Sequence, residues 1–142
     1  MIRTLELYSE EPGPDRLHDR SAPLCLKQAE EQLRQYFQGG LQTFALAIDF
    51  SGYSPFAGKV LRVLQTVPYG TTISYGDLAL LCGHPGAARA VGRVVGANRT
   101  PLLIPCHRVI GSTGKLTGYS AAGGLDTKRW LLDFEQQIKQ AD

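Results

Sequence analysis

Apolar positions change their period several times along the chain, and each change marks an element. Leu26, Ala29, Leu33, Tyr36 and Phe37 recur at helical spacing until Gly39-Gly40 stop the pattern. Phe44, Leu46, Ile48 and Phe50 then alternate with other residues as in a half-buried strand, closed by Ser51-Gly52. Ahead of both, Ile2 to Tyr8 reads as a short strand running into a loop around Pro12-Gly13-Pro14. Ser54-Pro55 supplies an N-cap followed by proline at the first helical position. Phe56, Val60, Val63, Leu64 and Val67 trace that helix's apolar face up to Pro68-Tyr69-Gly70. Ser74 and Asp77 resemble a capping box, opening a short helix through Leu78, Ala79 and Leu81 to Gly83. After the turn His84-Pro85-Gly86 a second helix spans Ala87 to Ala97 and ends near Asn98, so the pair has the length of a helix-turn-helix. A last helix runs from about Asp126 to Ile138, with Leu131, Phe134 and Ile138 inward and Trp130 and Leu132 on flanking faces. These elements predict an α/β (α+β) chain: a small N-terminal α/β part over residues 1–53, followed by a mostly helical part over 54–142.

Composition adds little to that picture, but charge adds a good deal. With 142 residues, 43% hydrophobic and 20% charged, the chain is an ordinary globular one. No stretch approaches the ~20 apolar residues of a membrane span, and the N-terminus lacks a secretory signal's apolar core, so an intracellular protein is expected. Cys25, Cys82 and Cys106 are odd in number and not closely paired, which disfavours a disulfide framework; no metal-ligand spacing is present either. The net charge of +2 hides an asymmetry: eight acidic and five basic residues lie up to Asp49, and five acidic and ten basic ones follow. Between Asp77 and Asp126 there is no acidic residue, while Arg89, Arg93, Arg99, Arg108 and Lys115 fall in that interval. Such a field attracts a polyanion.

Two segments carry candidate chemistry. On the helix over Ala87–Ala97, Ala88, Val91 and Val95 form an inward face, and Arg89, Gly92, Arg93 and Gly96 an outward one. Each glycine costs a helix roughly 1 kcal/mol relative to alanine, so a close approach is expected: a slim backbone pressed into a groove while arginines reach bases or phosphates, or simple packing on a neighbouring helix. The second segment is Leu102-Leu103-Ile104-Pro105-Cys106-His107-Arg108-Val109-Ile110, a strand-like apolar run that ends in a thiol, an imidazole and a guanidinium. A thiolate is the reactive form of cysteine, and a neighbouring cation such as protonated histidine or arginine favours it; a buried, inert cysteine is the plainer alternative. Neighbouring side chains of a strand face opposite ways, so His107 needs a turn or a bridging water to serve Cys106. Glu135 either orients His107 as a third member of the relay or is a solvated helix residue.

At Pro105-Cys106-His107-Arg108-Val109 the chain resembles the active-site motif of the O6-alkylguanine-DNA alkyltransferases, the methylated-DNA–protein-cysteine methyltransferases. The likeness continues through Ser54-Pro55-Phe56, Pro68-Tyr69-Gly70, Ile73-Ser74-Tyr75, Ala87-Ala88-Arg89-Ala90-Val91-Gly92, Asn98 and Trp130-Leu131-Leu132, in order over nearly all of the last ninety or so residues. The resemblance implies a small α/β N-terminal domain, here short for the family and without zinc, and a helical catalytic domain containing a helix-turn-helix. It implies that Cys106 accepts the alkyl group of O6-alkylguanine, and of O4-alkylthymine, in double-stranded DNA, irreversibly, once, and without a cofactor. In that comparison His107 acts as base through a water, Glu135 holds His107, and Asn98 stabilises the turn beside the recognition helix. Tyr75 assists nucleotide rotation and donates to the departing guanine; Arg89 takes the place of the flipped base, with Arg93, Ala88 and Gly92 also on the DNA face. Pro101, Val109, Tyr119 and Ser120 line the guanine pocket. The pocket loop Tyr119-Ser120-Ala121-Ala122-Gly123-Gly124-Leu125 is two residues longer than the family's usual one, which bears on the Ser120 contact and on alkyl size. A monomer working in the cytoplasm, or in a eukaryotic nucleus, is expected.

Three other readings are weighed against this one. An alkyltransferase-like damage sensor would bind alkylated DNA without transfer, but such proteins usually lack the cysteine found here. A helix-turn-helix regulator would not need Tyr75, Asn98, Tyr119 and Glu135 together. A cysteine hydrolase would need an oxyanion hole, and no pattern for one is visible.

Overall fold

A computed structural model describes residues 1–6, 23–119 and 123–142. The loop expected around Pro12-Gly13-Pro14, the end of the first expected strand at Tyr8, and Ser120 lie outside the described residues. Helix α1 (Leu24–Phe37) ends as expected, with Gly39 in the left-handed region at φ 79° and its N–H on the Tyr36 carbonyl.

The two expected N-terminal strands contract to one parallel bridge between Ile2 and Ile48. Ile2 donates to Ala47 O and Asp49 to Ile2 O, but the next donor along, Leu5 N, bonds Arg99 O instead. The first segment therefore leaves its partner after two hydrogen bonds and tethers to the chain beyond α4. The alternation itself survives as burial: Phe44, Leu46 and Ile48 point inward while Ala45 and Ala47 are exposed.

Helix α2 (Pro55–Leu64) starts on Ser54, whose hydroxyl accepts from Ala57 N at 3.2 Å, and buries Val60, Leu61 and Leu64. Strand β1 (Ile73–Ser74) leads directly into α3 (Tyr75–Leu81), where Ser74 Oγ accepts from Asp77 N at 3.0 Å. Helix α4 (Ala88–Gly96) follows a tight turn and seats Val91 and Val95 against α2 and α3. These faces, together with Ile2, Ile48, Ile104 and Val109, form the main core, which draws on both sides of residue 53. Each fully buried aliphatic side chain of this kind contributes about 1.5–3 kcal/mol.

The run ahead of Cys106 is not a strand. Leu102 is buried in the left-handed region at φ 71°, Pro101 and Ile104 bridge across the resulting turn, and Cys106–Arg108 form one turn of 3-10 helix before strand β2 (Val109–Ile110). The apolar composition reflects burial on all sides rather than extension, and a run of this length cannot be told from a strand by periodicity alone. Strand β2 pairs in parallel with β1, Ile73 opposite Val109 and Ser74 opposite Ile110, which holds Tyr75 close to the Cys106 turn. Helix α5 (Gly124–Ala141) starts earlier and ends later than expected; it turns Leu131 and Glu135 wholly inward and packs Phe134 and Ile138 on a second cluster around Tyr36, Tyr69 and Leu102. None of the described helices is long and apolar enough to cross a membrane.

Candidate active site

Cys106 is buried at the start of the 3-10 turn, and the neighbouring Asn98 side chain favours its ionised form. Asn98 is fixed by its own bonds: Nδ2 donates to Ile104 O at 2.9 Å, and Oδ1 accepts from Thr100 N at 3.1 Å. The end of α4 is thereby clamped to the residue two before the thiol. Burial pushes the Cys106 thiol up, and Asn98, the Lys128 ammonium and nearby backbone amides offset only part of that. The resting site holds a thiol, not a thiolate.

His107 does not supply the cation expected beside it. The imidazole is fully buried, and burial holds its pKa below the ordinary value despite the pull of Glu135. His107 Nε2 lies 2.7 Å from Glu135 Oε1. An ionised carboxylate only accepts, so the proton sits on Nε2 and the ring is the neutral Nε2–H tautomer. Among the described residues Nδ1 is buried without a hydrogen-bond partner, an open basic lone pair. Of the two readings of Glu135, the relay member is the one the geometry supports.

Glu135 is the most heavily bonded side chain of the site. Its Oε1 accepts from Tyr36 Oη at 2.7 Å, from His107 Nε2 and from Arg108 Nη2 at 2.8 Å; its Oε2 accepts from Arg108 Nε at 2.9 Å and Gly70 N at 3.1 Å. Burial pushes this carboxyl up, but the hydrogen bonds from His107 and Arg108 outweigh it and hold Glu135 well below the usual carboxylate range. Arg108 is thus consumed by Glu135 and by Val67 O at 2.8 Å, and it is removed from the positive field expected to draw a polyanion. Gly70 can donate here because it sits at φ 67°, with Lys139 2.7 Å from where a Cβ would stand.

Around the thiol, Tyr119 is half-buried with its hydroxyl unpartnered among the described residues, and burial together with the nearby Cys106 pushes its pKa up. Pro101 is buried in the turn ahead of Cys106, and Val109 lies at the far end, its N–H on the Cys106 carbonyl. Tyr75 donates to Thr117 O at 3.3 Å. Lys128 was not singled out by the sequence pattern: it is completely buried, donates to the same carbonyl at 2.8 Å, and lies 6.0 Å from the Tyr75 ring centroid. Its position three residues before the inward Leu131 is the only periodic signal for it.

The exposed face of α4 is a separate surface adjoining Tyr75. Arg89 and Arg93 are exposed, while Tyr75, Gly76, Ala88, Arg89, Gly92 and Ser112 line one groove. Ala88, expected in the core with Val91 and Val95, is only half-buried and belongs to this groove, one helical turn from Gly92. A Cβ on Gly92 would touch the Tyr75 ring at 3.6 Å, and one on Gly96 would meet open space. The glycines leave the helix slim on its outer side.

Residues 55–137 match the model of the family described as 6-O-methylguanine DNA methyltransferase, DNA binding domain. The chain is 45% identical over 141 residues to a methylated-DNA–protein-cysteine methyltransferase of Mycolicibacterium paratuberculosis, covering 99% of this chain and 84% of that protein. It is 40% identical over 135 residues to one from Shigella flexneri, covering 95% and 75%. A crystal structure of Mycobacterium tuberculosis OGT in complex with DNA shares 46% sequence identity at a TM-score of 0.74, covering 79% of this chain and 68% of that one. The likeness to S. pombe ATL in complex with DNA is weaker, with 31% identity and a TM-score of 0.51 over 56% of this chain. These likenesses span nearly the whole chain, the Cys106 turn and α4 included, and the protein belongs to the methylated-DNA–protein-cysteine methyltransferase family.

Proposed function

We propose that this protein repairs O6-alkylguanine, and O4-alkylthymine, in double-stranded DNA by moving the alkyl group onto Cys106, once per molecule. The observation that carries the reading is a buried Cys106 followed directly in the chain by a buried His107 whose Nε2 is bonded to Glu135, with Nδ1 left as a base. Helix α4 enters the minor groove, Gly92 and Ala88 allow its backbone to approach, and Arg93 meets phosphate. The damaged nucleotide leaves the stack at a cost of a few kcal/mol, which the lesion itself reduces, and Arg89 takes its place. The base enters between Tyr119 and the Cys106 turn, along Pro101 and Val109. Ser120 contributes to the same pocket by the family's pattern.

His107 Nδ1 then takes the Cys106 proton through a water, and the imidazolium formed is stabilised by Glu135. The thiolate attacks the alkyl carbon, the S–C bond forms as the C–O bond breaks, and the electron pair stays on the guanine. Tyr75 donates a proton to the leaving base and is reprotonated from solvent as the His107 imidazolium releases its own, so guanine remains in the DNA and Cys106 ends as a thioether. Asn98 holds the thiol and the turn in register throughout. Reversal would require expelling the thiolate from an unactivated carbon, which makes the reaction stoichiometric. Residues 54–142 carry this chemistry, and 1–53 support it. A DNA substrate and three free cysteines agree with a reducing, DNA-containing compartment, the cytoplasm of a prokaryote or the nucleus of a eukaryote.

The exposed position of Arg89 provides a test. Arg89→Ala is expected to slow repair of a methylated duplex by roughly tenfold or more while leaving reaction with free alkylguanine base nearly unchanged, because only the duplex needs its gap filled. Equal losses on the two substrates, measured in single-turnover assays, would remove Arg89 from the flipping step.

A further inference from the structure

Tyr36 lies 99 residues before Glu135 in sequence, on α1, in the N-terminal part where no site residue is expected. Periodicity marks it only as a core position, and its surroundings agree: the ring is fully buried among Phe37, Phe44, Tyr69 and Phe134, with centroids 5.2 to 5.9 Å away. Phenylalanine would fill such a cluster at no polar cost, whereas a buried hydroxyl costs free energy unless it is hydrogen-bonded. Tyr36 Oη finds Glu135 Oε1 at 2.7 Å, the same oxygen that receives His107 Nε2–H.

We propose that Tyr36 is a positioning residue of the alkyl-transfer site, reaching from the N-terminal part to fix the Glu135 oxygen that orients His107. This rests on the relay described above. Oε1 holds three donors, from Tyr36, His107 and Arg108, and among the described residues Tyr36 is the sole donor to Glu135 from the first 53. Its bond has two consequences. It stops the carboxylate from sliding along the Arg108 fork, and it draws charge from Oε1, which moderates the pull on His107 Nε2–H and so the basicity of Nδ1. The small N-terminal part then does more than cover the core: it completes the catalytic relay.

Tyr36→Phe keeps the ring and removes the hydroxyl alone. In single-turnover methyl transfer from an O6-methylguanine duplex, the variant is expected to bind DNA as wild type does, to lose about five- to tenfold in plateau rate, and to shift the acid limb of the pH–rate profile upward by about half a unit. The 15N shifts of the His107 ring should move in the same sense. A lowered melting temperature with an unshifted pH profile and unchanged His107 shifts would mean that the hydroxyl serves packing alone, and would overturn the proposal. Wild-type protein is the control for the underlying reading: if it leaves Cys106 unmodified, the relay itself fails, whereas methylated wild-type Cys106 with a Tyr36→Phe profile identical to it removes only Tyr36.

Discussion

Glu135→Gln is expected to lower stability by about 3 to 5 kcal/mol, a fall in Tm of roughly 10 °C, and to slow methyl transfer by roughly 100-fold or more. The carboxylate is wholly buried and carries the bidentate Arg108 fork, the Tyr36 hydroxyl, the His107 ring and the Gly70 amide. An amide removes the charge while leaving Arg108 buried and uncompensated, and its NH2 offers a donor where only acceptors fit. The rate falls for a separate reason: the imidazolium formed when Nδ1 takes the thiol proton loses its counter-charge.

The same substitution changes the response to acid. The folded state binds protons at Glu135 and at His107 less readily than the unfolded chain does. Stability therefore rises with pH wherever the unfolded chain holds the extra proton. For His107 the contribution is complete above the ordinary value of 6.5 and is lost as pH falls below it, through the lower folded value. For Glu135 it is complete above 4.5 and is lost as pH falls through its own depressed value. Wild-type Tm should decline in two stages as the solution is acidified. Glu135→Gln should shrink the lower stage, to which Asp49 and Glu31, also held below their ordinary values by hydrogen bonds, still contribute, and thermal melts across the acid range would show it; a wild-type Tm that stays flat down to the lower stage would contradict the assignment of His107 as neutral.

The second large effect is at the thiol. Cys106→Ala is expected to abolish transfer altogether while leaving duplex binding within a factor of a few, because α4 and the Arg89 side chain lie on a face that Cys106 does not build. It should cost little stability, since a buried sulfhydryl behaves as a small apolar group and the Asn98 clamp on Ile104 survives without it. Gel-shift titration beside a transfer assay would separate the two functions; loss of both together would mean that Cys106 is needed to form the DNA face.

Much of this architecture is written locally in the chain. The caps at Ser54 and Ser74, the left-handed stop at Gly39 and the periodic faces of α2 and α5 depend on neighbours three or four residues away, and those spacings are visible in sequence. The proposed nucleophile and base are equally visible, because Cys106 and His107 are adjacent. What escaped is long-range. The N-terminal strands shrink to one bridge because Leu5 N prefers a carbonyl at Arg99, a choice no alternating pattern can show. The run before Cys106 bends at Leu102, a residue with no intrinsic liking for φ 71°, held there by the bridge between Pro101 and Ile104. Arg108 looks from its sequence position like an activator of the thiol, yet its partner is Glu135 on α5. Lys128 carries no functional signal in sequence and is buried against Thr117 O. Ala88 and Gly92 carry no chemistry of their own; their meaning as a groove depends on Tyr75 coming from the neighbouring helix α3.

The central claim is that Cys106 is the alkyl acceptor. Incubating the protein with a duplex containing O6-methylguanine, digesting it and weighing the peptides tests that claim directly. The account predicts one added methyl group, confined to the peptide that contains Cys106, rising to one per molecule and no further, with guanine restored in the DNA. A bound but unmodified Cys106 peptide, or methyl found on Cys25 or Cys82 instead, would contradict it.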